Sequence, residues 1–308
     1  MKILVVGAGA VGGYFGGRLC EKGVDVTFLV REKRRQQLIE RGLVIHSVHG
    51  DVKLEPKLLV SGESAPAFDL VVLTPKAYHL DDTLRDVQPY IGEETDILPL
   101  LNGIAHMPVL QERFGEERVL GGICFIESTL NEHGDVVQTS KTHRLTYGEW
   151  NGERTARVEK LEALFAGAKA TFASSDHVVR DMWHKYLFIT TLSGMTTLFN
   201  SAVGPVLEAV DGRELTKQLF EEAAAVMRAH GAPIAENIVE QHMITYEKQT
   251  YHTKSSMLRD MEKGLPIEAD HLQGYLLSLA DRYGVNTPLL RIVYNNLKVY
   301  ENKRAHGT

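Results

Sequence analysis

The chain has 308 residues, 44% of them hydrophobic and 24% charged, with a formal net charge of −6. That length suits two domains, and the composition is globular rather than disordered or fibrous. The mildly acidic balance carries no electrostatic footprint for nucleic acid, and no apolar run approaches the ~20 residues of a membrane-spanning helix.

In chain order, residues 2–6 (KILVV) read as a short buried strand, followed by a helical pattern through Tyr14, Phe15, Leu19 and Cys20 that Gly23 ends. Val24–Val30 reads as a second strand and residues 33–42 as a helix. Residues 43–60 alternate around a His-Gly-Asp turn, as in a hairpin. Asp69–Leu73 is another buried strand, and a helix from about Asp81 leads to the strand-like Asp96–Leu101. Gly121–Phe125 begins a further strand, and Val136–Gly148 contains strands with a turn. Strand–helix alternation with β-branched runs predicts an α/β fold whose sheet is mostly parallel and doubly wound. Near Ser174 the character changes. Helical periodicity then dominates over Val178–Ser193, Arg213–His230, Ala235–Tyr246, Asp270–Tyr283 and Pro288–Lys303. The expected organisation is a Rossmann-type domain over 1–175 and an all-helical domain over 176–308.

Gly7-Ala8-Gly9-Ala10-Val11-Gly12 follows the first strand and opens the first helix. In that context Gly7 permits the tight turn, Gly9 lets backbone approach a pyrophosphate, and Gly12 allows close helix–strand packing. The helix N-terminus offers unpaired N–H groups to phosphate. NAD-binding units usually end the second strand on Asp or Glu, whereas here it ends Leu29-Val30-Arg31. A guanidinium pairs with a ribose 2′-phosphate that a carboxylate would repel, so NADP(H) is the expected cofactor. Lys33 and Arg34 add charge, and Glu32 is the contrary residue.

Three polar features interrupt apolar patterns. Lys76, in Thr74-Pro75-Lys76, follows a buried strand where open α/β sheets bind ligands, or is a surface lysine after a turn. Asn102, in Leu101-Asn102-Gly103, presents an amide to cofactor or substrate, or only makes a turn. Lys185, in Trp183-His184-Lys185, is a partly desolvated proton donor for ketone reduction, or an amphipathic lysine that snorkels. Late in the chain, Ser256 and Glu268 read as substrate contacts or as helix-cap and first-turn residues. The 13 histidines show no metal spacing, and no metal is expected. Cys20 and Cys124 read as structural thiols of a cytoplasmic protein, with no secretory leader ahead of them.

Together these residues resemble the ketopantoate reductases (2-dehydropantoate 2-reductases) over nearly the whole chain. The likeness runs from KILVVGAGAVGG through Arg31, Lys76 in TPKA, Asn102 in LNG and Lys185 in WHK to KSSMLRDMEKGLPIEADHLQGYLL. It implies a Rossmann domain followed by a helical domain, with the active site in the cleft between them and NADPH as reductant. On that resemblance Lys185 is the general acid, Glu268 positions substrate and cofactor and supports the lysine, and Ser256 contacts the substrate carboxylate. Asn102 and Lys76 line the cleft. The product is pantoate, on the route to pantothenate and coenzyme A.

Two departures bear on the substrate. Family members carry Asn one and two turns after the lysine, where this chain has Ile189 and Ser193. Ser193 or Thr190 is then the expected replacement polar contact. Glu127 adds negative charge where small or apolar residues are usual. A paralogue for another branched 2-keto acid and a silent NADPH-binding sensor are the alternatives. A reductive N-carboxyalkylation dehydrogenase would need a His–Asp pair that the helical region does not provide. Members occur as monomers and dimers, and apolar Leu290, Val293 and Leu297 of the last helix could pack internally or in a homodimer.

Overall fold

A computed structural model describes residues 1–307, which fall into two compact units. The first comprises Met1–Leu101 and His106–Val179; the second comprises Asn102–Ala105 and the chain from Arg180 onward. The four residues from Asn102 therefore pack with the helical unit, although they follow a strand of the first. Nearest-neighbour sequence patterning does not carry that information.

The first unit is built on a parallel sheet. Strands β1 (Lys2–Val6), β2 (Asp25–Leu29), β5 (Lys57–Leu59), β6 (Leu70–Leu73) and β7 (Asp96–Pro99) lie in the order β5-β2-β1-β6-β7. β1 pairs in register with β2 (Ile3 opposite Val26) and with β6 (Ile3 opposite Leu70). Ile3, Leu4, Leu70 and Val71 are fully buried, as strands covered on both faces require.

A second, mixed sheet departs from the single-sheet expectation. It orders β10 (Thr171–Ser174), β9 (Val136–Gly148), β3 (Leu43–Ser47) and β4 (Val52–Leu54), with β8 (Gly121–Leu130) antiparallel to β9. The predicted hairpin exists as β3–β4. Its expected tail leaves it as β5 and pairs with β2, Leu59 opposite Leu29. Alternation marks a residue run as strand but does not choose its partner. Likewise Val136–Gly148 is one continuous strand. The turn precedes it, where the Asn131 side chain accepts hydrogen bonds from the backbone N–H groups of His133 (3.0 Å) and Asp135 (2.9 Å).

Helix α1 (Ala10–Lys22) is covered by both sheets, and two pairs of glycines make it thin enough. A Cβ on Gly16 would meet Phe28 and Val5 of the parallel sheet; one on Gly17 would meet Ile45 and Leu43 of the mixed sheet. Helices α2 (Glu32–Arg41), α3 (Leu80–Val87), α4 (His106–Phe114) and α5 (Ala156–Phe165) complete the unit, the last two unannounced by periodicity.

The second unit is helical: α6 (Val178–Leu198), whose first two residues belong to the first unit, α7 (Val203–Glu208), α8 (Gly212–His230), α9 (Ile238–Glu247), α10 (Ser256–Glu262), α11 (Tyr275–Tyr283) and α12 (Pro288–His306). The expected helix from Asp270 begins instead as a π turn, Asp270–Gly274, closed by the Gly274 N–H donating to the Ala269 carbonyl at 2.9 Å. Leu290, Val293 and Leu297 of α12 are fully buried within the chain, which settles their packing as internal. Among the described residues, no helix is long and apolar enough to cross a membrane, and no cluster of metal-ligating side chains occurs.

Candidate cofactor cradle and catalytic cluster

In the first unit the glycine loop joins β1 to α1 at the carboxyl end of the sheet. Gly7 has φ +97°, a left-handed conformation that favours glycine, and its N–H donates to the Leu29 carbonyl at 2.9 Å. A Cβ at Gly12 would strike the Gly7 carbonyl and the Thr74 hydroxyl. Thr74 donates that hydroxyl to the Val6 carbonyl at 2.7 Å and so ties β6 to the loop. A Cβ at Gly9 would meet nothing within 4 Å, which leaves the loop's outer side open to a ligand. Ala8 is buried, and Ala10 and Val11 form the first turn of α1, whose leading N–H groups have no helical acceptor.

The loop borders a cavity of about 480 Å³, walled by Gly7, Ala8 and Gly9, by Leu29, Val30 and Arg31, and by Ser61, Pro75, His79 and Asp86. Arg31 is exposed, heads α2, and lines this cavity together with Glu32 and Arg34. Arg34 has a second task that sequence spacing does not reveal. Its Nε and Nη2 both donate to the Ala8 carbonyl, at 3.1 and 2.8 Å, and pin the glycine loop. Burial lowers the pKa of this guanidinium. Lys76 is half-buried at the end of β6, where it heads the short turn Ala77–His79, and it is not part of the cavity wall. An open-sided glycine loop at a helix N-terminus fits the pyrophosphate of a dinucleotide.

The second unit gathers the other expected residues around α6. Lys185 is half-buried and its Nζ donates to the Asn102 side-chain oxygen at 2.9 Å. Glu268 is 8% exposed and acts electrostatically on the His271 imidazole, which donates to the Asn102 backbone carbonyl. Burial holds the His271 pKa down, against the upward pull of Glu268 and that carbonyl. His271 and its link to Asn102 were invisible in the sequence, where it was one scattered histidine among many.

Ser193 does not occupy the place expected of it. It is 3% exposed, donates its hydroxyl to the Ile189 carbonyl at 2.6 Å and accepts from Gln273 Nε2 at 2.8 Å. Its one proton is committed to its own helix, so it holds structure instead of presenting a hydroxyl to substrate. Thr190, the other expected replacement, is fully buried. Ser256 is exposed at the head of α10, and the cap there is its neighbour Ser255, which accepts from Leu258 N–H at 3.1 Å. His184 accepts the Ala235 N–H through Nε2 at 3.0 Å, which occupies it structurally. Glu127, in the first unit, is exposed at an irregularity in the β8–β9 pairing between Ile126 and Ser128, and β8 continues beyond it to Leu130.

A glycine-cradled cavity on a parallel sheet, with a lysine–amide pair on a helical unit, is the arrangement of a nicotinamide-dependent oxidoreductase. The comparisons narrow the class. Residues 3–152 match the family described as ketopantoate reductase PanE/ApbA, and residues 177–301 match its C-terminal model. An uncharacterised oxidoreductase, YkpB, from Bacillus subtilis (strain 168) is 49% identical over 304 residues, covering 99% of this chain and all of the relative. The crystal structure of 2-dehydropantoate 2-reductase from Geobacter metallireducens GS-15 superposes with a TM-score of 0.88 at 29% identity, covering 97% of this chain and 99% of that one. A D-mandelate dehydrogenase solved with NADH and anilino(oxo)acetate shares the fold, with a TM-score of 0.89 at 21% identity over 99% of this chain and all of that one. The chain belongs to the ketopantoate reductase family, whose members are NAD(P)-dependent oxidoreductases acting on a CH–OH group.

Proposed function

We propose that the protein reduces a 2-keto acid, ketopantoate or a close branched relative, with NADPH. The observation that carries this reading is the Lys185 ammonium held on the Asn102 side chain at 2.9 Å. The reduced nicotinamide, when bound, supplies the hydride. Lys185 then donates a proton to the keto oxygen as negative charge develops there. The Asn102 side-chain oxygen accepts from the Lys185 ammonium and so orients it. Glu268, buried and acting electrostatically on His271, is proposed to supply the balancing negative charge. Ser256, exposed at the start of α10, is proposed to meet the substrate carboxylate. Gly7 to Gly12 would hold the pyrophosphate and Arg31 the 2′-phosphate, and Lys76 would be a further cofactor contact. For ketopantoate the product would be pantoate, the precursor of pantothenate.

Ile189 favours the related reading of a different branched 2-keto acid. It stands one helical turn from Lys185, is half-buried, and offers only hydrocarbon there. Turnover should be measured for Lys185→Ala against the parent protein. The expected loss is about 10²–10⁴-fold, the usual contribution of a positioned general acid, with the thermal midpoint retained. Near-normal turnover would remove Lys185 from the mechanism.

A further inference from the structure

We propose that His271 is a positioning residue for Lys185, acting through Asn102. The proposal rests on the reading of Lys185 as proton donor.

Asn102 sits at the start of a short loop whose Ile104 is buried. Asn102–Ala105 is a four-residue insertion into the helical unit, and its side chain at Asn102 has two rotatable torsions. Yet Asn102 must point one oxygen at Lys185 Nζ. Its backbone carbonyl receives the ring N–H of His271. The next residue, Gly103, has φ +80° and lies directly under the same ring: a Cβ there would be 3.3 Å from His271 Cδ2 and 2.9 Å from Leu272 Cδ2. The imidazole thus both bonds the loop and covers it.

His271 is itself immobilised on the lysine's helix. It sits in the π turn, and its two successors are fastened to α6. The Tyr186 hydroxyl donates to the Leu272 carbonyl at 2.5 Å, beneath the residue that follows Lys185. Gln273 Nε2 donates to the Thr190 carbonyl at 3.1 Å and to Ser193 Oγ at 2.8 Å. A π turn re-aims the side chains around it, and such turns recur at functional sites. The contacts close a ring: Lys185 to the Asn102 side chain, Asn102 backbone to His271, and the His271 turn back to α6. Ser193 and Gln273 thereby acquire a purpose, since they anchor the turn that carries His271.

Two variants of the full chain separate this from simple packing. His271→Phe keeps a ring over Gly103 and removes the donor; His271→Gln restores a donor. Activity is read with NADPH and ketopantoate, or with the 2-keto acid turned over fastest in a panel. His271→Phe is expected to lower kcat about tenfold, the equivalent of one hydrogen bond to a catalytic assembly. KM for NADPH should stay within about twofold, because uniform cofactor binding is untouched. His271→Gln should recover most of the kcat. The double variant His271→Phe, Asn102→Ala should be no slower than Asn102→Ala alone, because both act through one contact. Unchanged kcat in His271→Phe, equal losses in the Phe and Gln variants, or additive losses in the double variant would each overturn the proposal. If His271→Phe does not fold, the Gln variant and Asn102→Ala carry the test. Retained turnover in Lys185→Ala would instead overturn the underlying mechanism, so the two failures are distinguishable.

Discussion

Arg31 and Arg34 stand three residues apart in one basic cluster, yet the structure gives them different work. Arg31 heads α2 on the cavity wall, while Arg34 grips the Ala8 carbonyl from behind the loop. Removing Arg31 should therefore act on one cofactor only. Arg31→Ala is expected to weaken NADPH binding about 10- to 100-fold, the worth of a charge-assisted pair, and to leave NADH nearly unchanged. Cofactor fluorescence titrations check this, and equal weakening of both would remove Arg31 from 2′-phosphate recognition. The position of Arg31 was legible because strand, glycine loop and helix follow a fixed spacing. The Arg34 grip was not, since a guanidinium's choice between solvent and a distant carbonyl is made by tertiary contacts. Ser193 shows the same limit in reverse. Its spacing from Lys185 placed it on the expected face, but its hydroxyl turned to its own helix and to Gln273.

Among the elements, α1 was read correctly as a helix, with Gly12 as a close helix–strand contact, but the glycines further along it carried no reading. Gly16 and Gly17 lie past the phosphate loop and serve instead to let two sheets approach one helix. The second sheet explains them, and a pattern with period two cannot show that a second sheet exists. α10 offers a direct test of local structure. Ser255 is 5% exposed, caps that helix and shares a hydrogen bond of 2.7 Å with Thr196 of α6. Ser255→Ala should destabilise the protein by about 1–2 kcal/mol through the lost cap and the orphaned threonine hydroxyl. Denaturant unfolding measures it. A neighbouring Ser256→Ala, exposed and outside the cap, should leave stability unchanged while any effect it has appears in KM for the keto acid.

For the whole molecule, strand–helix alternation followed by helical periodicity was sufficient for the fold class, whereas the family was legible only through the motifs running from KILVVGAGAVGG to KSSMLRDMEKGLPIEADHLQGYLL. What it could not supply was the partner of each strand or the attachment of Asn102–Ala105 to the helical unit, because both depend on contacts distant in sequence. Stability of that unit should depend on pH through His242. Burial pushes its pKa from the usual 6.5 down to about 4, while its Nε2 donates to the His184 carbonyl at 2.8 Å. The unfolded chain therefore takes up a proton first. Stability is complete above about pH 6.5 and is lost as pH falls toward 4, by an amount on the order of 3 kcal/mol. His242→Gln, which retains a donor but does not titrate, should flatten the thermal midpoint between pH 7 and 4.5, whereas an unchanged slope would assign the loss to other groups. The central claim is a reductase that uses NADPH and Lys185 on a branched 2-keto acid. Its most direct test follows NADPH oxidation with ketopantoate and a panel of branched 2-keto acids, for the parent protein and Lys185→Ala side by side. The account predicts turnover of at least one acid by the parent and its collapse in the variant. Tight NADPH binding with no oxidation on any acid would contradict it.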